Sequence, residues 1–219
     1  MAVTISTSAP TARHLIVSGG RYLPGMGIYL VSVGAREWAE GDEDEDEGGR
    51  GVVASALNEE LERRGLPRYE PVAEEEPNAW FEEKISPPMD GFAALCRAHL
   101  TPREQETLGA WTVLVPVSLE EEIHLPIGSA YTDTTVIAGA PQVLALARRL
   151  SDVIGLPPEV PQEPGNLGLT FWFLEGEAKE LAAARPGPWS EDLDTAFYVA
   201  LYLRAAEHSL RRGCPMMYC

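Results

Sequence analysis

The last six residues, Cys214-Pro215-Met216-Met217-Tyr218-Cys219, hold two thiols and two thioethers, the densest set of soft donors in the chain. Sulfur of both kinds suits Cu(I), and His208 just upstream would add an imidazole. Zn²⁺ asks for Cys or His at four positions. The tail supplies Cys214 and Cys219, and Cys96-x-x-His99 is a second pair that could complete such a set. The Cys-x4-Cys spacing is not a metal signature, and an apolar tail packed beside a helix explains the same residues. No metal and no cofactor is therefore expected.

Hydroxyls and imidazoles make a second constellation. The run Ser129-Ala130-Tyr131-Thr132-Asp133-Thr134-Thr135 could line a pocket with His208. The pocket candidates are Ser129, Thr132, Asp133, Thr134 and His208. Cys96, Cys214 and Thr135 are further candidate nucleophiles, and His99 and His124 further candidate bases. None has a catalytic frame: Gly128-Ser129-Ala130 lacks the second glycine of a nucleophile elbow. No GxxxxGK[ST] or GxGxxG loop is present to cradle phosphate. Turn and strand-edge hydrogen bonding accounts for such hydroxyls equally well.

The third constellation is purely electrostatic. Asp42, Glu43, Asp44, Glu45, Asp46 and Glu47 are adjacent, with Gly41 before them and Gly48-Gly49 after. Six like charges between glycines cannot pack, so an exposed, mobile loop is expected over 41–49. The chain as a whole carries 34 acids against 17 bases, a net charge of −17. Such a field repels phosphate backbones and anionic lipid and accelerates encounters with a basic protein. A basic protein is the expected partner, with no nucleic acid and no membrane.

Leu100-Thr-Pro-Arg-Glu-Gln-Glu-Thr-Leu108 resembles the opening of the helix-turn-helix in LuxR-type response regulators. The likeness covers nine residues and then runs into the strand-like Trp111–Ser118, with no basic recognition helix behind it. A capping box, Thr101 to Glu104 with Pro102 at the first helical position, explains the segment without DNA.

The elements that would carry these residues follow from periodicity and turn chemistry. Strands are expected at 14–18, 28–33, 111–118, 123–127, 133–139 and 167–174. Pro116 puts the 111–118 strand at an edge or a bulge, and 111–139 reads as a meander. Helices are expected at 52–64, 90–100, 101–108, 140–154 and 175–184. The longest helix spans 190–212, with Ser190 as N-cap and Gly213 as C-cap, and is apolar nearly all round. The fold class is α+β: a small mixed or antiparallel sheet packed around that buried helix, with one βα unit at 133–154.

Residues 1–12 read as disordered and 13–219 as a single domain. The N-terminus lacks the pattern of a signal peptide, and three cysteines make no disulfide framework, so a cytoplasmic setting is expected. The function this supports is a soluble intracellular protein-binding or regulatory protein, of inhibitor or immunity type. The alternative is a small-molecule-binding protein or enzyme with its pocket near Ser129–Thr135 and His208.

Overall fold

The structure, a computed structural model, describes residues 27–40, 49–72, 80–128, 132–163 and 165–219. The expectations for 1–12, the strand at 14–18, the acidic run 42–47 and Ser129 lie outside these residues.

Strand β1 (Ile28–Ser32) leads into the short helix α1 (Ala35–Glu40), and α2 (Arg50–Arg63) follows. β2 (Glu82–Ile85) precedes α3 (Asp90–His99) and α4 (Pro102–Gly109). Next come β3 (Val113–Val115), β4 (Ile123–Leu125) and β5 (Thr135–Gly139), the last running straight into α5 (Ala140–Ile154). Helices α6 (Gly168–Leu174), α7 (Glu177–Ala184) and α8 (Pro188–Glu191) then deliver the chain to α9 (Leu193–Arg212). The chain ends in β6 (Met216–Tyr218).

The six strands form one sheet in the order β2-β1-β6-β3-β5-β4. β3 and β5 are parallel, and the other neighbours are antiparallel. Alternation along the strands divides the interior in two. Leu30, Phe81, Leu114, Ala138 and Met216 point into the larger core, roofed by α3, α5, α6 and α9. Val113, Val115, Ile123 and Ile137 point the other way, onto Val53, Leu57 and Leu61 of α2 and Trp38 of α1. The molecule is α+β, with its sheet between a thick helical layer and a thin one.

Helix α9 is buried as its composition dictates. Phe197, Val199, Ala200, Leu201 and Ala205 have no exposed surface. Its 20 residues span about 30 Å, and Gly213 closes it in the left-handed region at φ 64°. The N-cap is Asp192 rather than Ser190: the Asp192 carboxylate accepts from the Thr195 backbone N–H (3.0 Å) and hydroxyl (2.7 Å). Ser190 instead closes the preceding turn on Gly187, accepting from its N–H and donating to its carbonyl.

Three strand expectations are corrected. Residues 111–118 do not lie at an edge: β3 stops at Val115, before Pro116, and sits between β6 and β5. The 111–139 segment is not a meander, because β5 inserts between β3 and β4 and lies parallel to β3. Residues 168–174 form a helix, α6, not a strand. The Glu83 side chain on β2 accepts from the N–H groups of Leu169 (2.7 Å) and Thr170 (2.8 Å). Those donors would otherwise be unpaired at the start of a helix, and Leu167 turns the chain there with φ 58°. A remote carboxylate thus overrides a local preference for strand.

Leu201→Asp is expected to destabilise the protein by several kcal/mol, since it places an unpaired charge in the larger core. Thermal melting of the variant against wild type measures this. An unchanged midpoint would mean that α9 is peripheral.

Candidate functional site

The sulfur-rich tail is a strand, and a strand disperses its donors. Met216 is buried in the larger core, whereas Met217 packs against the smaller one on the opposite face. Cys214 is buried and its carbonyl accepts from Ser209 Oγ (2.7 Å). Cys219 is exposed at the far end, exchanging both backbone hydrogen bonds with Tyr29 (2.8 and 2.9 Å). At about 3.3 Å per residue, the two cysteines stand roughly 16 Å apart. Cys96 is buried on α3, where burial pushes its thiol up to about 11, while His99 at the end of that helix is exposed. Among the described residues no group of three or more His, Cys, Asp and Glu side chains could share a metal ion.

The hydroxyl run and His208 are placed apart. Thr132, Asp133 and Thr134 are exposed and precede β5, and the Thr132 hydroxyl donates to the Thr134 carbonyl (2.6 Å). Thr135 is buried and its hydroxyl donates to the Ile127 carbonyl (2.9 Å). These are the bonds of a turn and a strand edge. His208 lies near the C-terminal end of α9, which runs into the start of β6. The register places the start of β6 at the end of the sheet where β5 finishes, not where it begins. His208 also packs on Phe81, ring centroids 5.4 Å apart, on the β2 side of the sheet, whereas Thr132–Thr134 adjoin the β4 side.

Two buried titratable groups, His208 and Glu83, sit in strongly perturbing surroundings. His208 is 5 % exposed, and its Nε2 has no hydrogen-bond partner among the described residues. Burial, with the nearby Arg211 and Arg212 charges, lowers its pKa to about 4. Glu83 has no exposed surface. Burial raises its pKa, while three hydrogen bonds work in the opposite sense, from Leu169 N–H, Thr170 N–H and the Thr170 hydroxyl (2.7 Å). Glu83 was invisible to the sequence reading, which assigned no element to 82–85. The signal present was Phe81, Glu83 and Ile85 at the spacing of one strand face, an acid flanked by two apolar residues. Its bonds make it the anchor of α6 rather than a free acid. Two neighbouring bonds seal the outer edge of β2: the Leu167 N–H donates to the Glu82 carbonyl (2.7 Å), and the Lys84 N–H to the Thr170 hydroxyl (3.2 Å).

The helices on either side of the acidic run in sequence, α1 and α2, meet at their ends. A Cβ built on Gly51 would lie 3.1 Å from the Ala39 carbonyl oxygen, so the end of α1 and the start of α2 are in contact. Trp38 is buried one turn before the run and packs on Tyr69, ring centroids 6.3 Å apart. Val53 and Leu57 hold α2 against the sheet.

No family model, no curated protein and no solved structure matches the chain.

Three outcomes are expected from these placements. In the native protein a thiol reagent should label Cys219 fast and Cys96 and Cys214 only after denaturation, as read by mass spectrometry of the labelled peptides. Glu83→Gln should lower stability by about 1–3 kcal/mol, because an amide cannot accept from all three donors. Denaturant titration of the variant checks it. His208 is held neutral in the fold, with a pKa near 4 against 6.5 for the free side chain. Its contribution is full above pH 6.5 and is lost as pH falls toward 4, by at most about 3 kcal/mol. His208→Phe should flatten that part of the stability–pH curve, and an unchanged slope would show that His208 does not set it.

Proposed function

We propose that the chain is a soluble protein-binding or regulatory module, of inhibitor or immunity type, that recruits a basic partner through Asp42–Glu47 in the cytoplasm. The observation that supports this reading is the insertion of six adjacent carboxylates between two helices whose ends already touch. The fold does not need the insertion to join α1 to α2.

Elsewhere acids are used differently. Glu60 pairs with Arg63 and Arg64, Glu104 with Arg149, and Glu159 with Arg185. Within 41–49 there is no Lys or Arg, and Arg50 is the first base after the run. Concentrated charge of one sign acts on association rate more than on affinity, and its reach is set by the Debye length, about 8 Å at physiological salt. Cys96 and Cys214 are both buried outside any disulfide, which accords with a reducing compartment. Among the described residues no helix is long and apolar enough to cross a membrane. The small-molecule reading is the weaker one, because its hydroxyls and its imidazole lie at opposite ends of the sheet.

Deleting 42–47 while keeping Gly41, Gly48 and Gly49 should leave the fold intact and change its stability by no more than about 1 kcal/mol. The same deletion should slow association with a basic protein partner captured from the native lysate, and the difference should fade at high salt. Partner profiles and rates identical for the two forms at every salt concentration would remove the support for this function.

A further inference from the structure

We draw no further inference here: the strongest candidate, the buried His208 imidazole against Phe81 near the C-terminal end of α9, has no second polar group converging on its Nε2 among the described residues, so nothing in the structure shows what it would bind.

Discussion

The fold depends on the pairing of three C-terminal residues with two strands at once. β6 takes β1 on one side and β3 on the other, so it joins a two-stranded half-sheet to a three-stranded one. Only Gly213, Cys214 and Pro215 separate it from α9, which fixes the end of that helix against the sheet. The turn is tied from a third direction, because the Gly213 carbonyl accepts from Tyr69 Oη (3.0 Å) and the Val72 N–H (3.3 Å). A Cβ at Gly213 would come within 2.7 Å of Val72, and φ is positive there, so glycine is required twice over. Strand, helix and the segment leading to Val72 thus stand or fall together.

With α9 buried on every side, polar groups in its layer must find partners within the protein. Arg204 on α9 is buried, and its guanidinium donates to the Pro161 carbonyl (2.9 Å) and to Glu207 (2.7 Å), pinning the proline-rich loop after α5. Tyr198 donates to the Pro87 carbonyl (2.5 Å) and so holds the entry to α3. The Ser32 hydroxyl accepts from the Phe81 N–H (3.0 Å), extending the β1–β2 pairing by one bond. Glu83 does the same service for α6. Each bond fastens a loop or helix start to the central layer, and His208 is the exception, an imidazole kept neutral by burial rather than by a partner.

The surface of the smaller core follows a different rule. There α1 and α2 form a thin cover whose connection carries six carboxylates and no base. With 17 Lys and Arg for 34 acids, no more than half of the carboxylates can be paired one to one. The excess charge costs self-repulsion and contributes solubility and long-range steering. Among the described residues the interior is given over to packing, with its buried polar groups largely tied to backbone.

Local chemistry by itself determined the longer helices and several of their ends, though not α1, α6 or α8. The apolar circumference of 193–212, the glycine at 213, the capping box at Thr101–Glu104 and the strand–helix junction at Gly139–Ala140 are all properties of neighbours in sequence. Strand identity and order were decided only in three dimensions. The tail 216–218 is a strand because β1 and β3 both offer it unpaired backbone groups, something its own six residues cannot show. The apolar run 168–174 is a helix because Glu83, distant in sequence, satisfies its first N–H groups. The separation of Thr132–Thr134 from His208 was equally out of reach, since it depends on which end of the sheet each element occupies. Helices are stabilised by bonds within a few residues, whereas a sheet is a set of bonds between segments far apart. The sequence therefore displays the first directly, and only the folded chain displays the second.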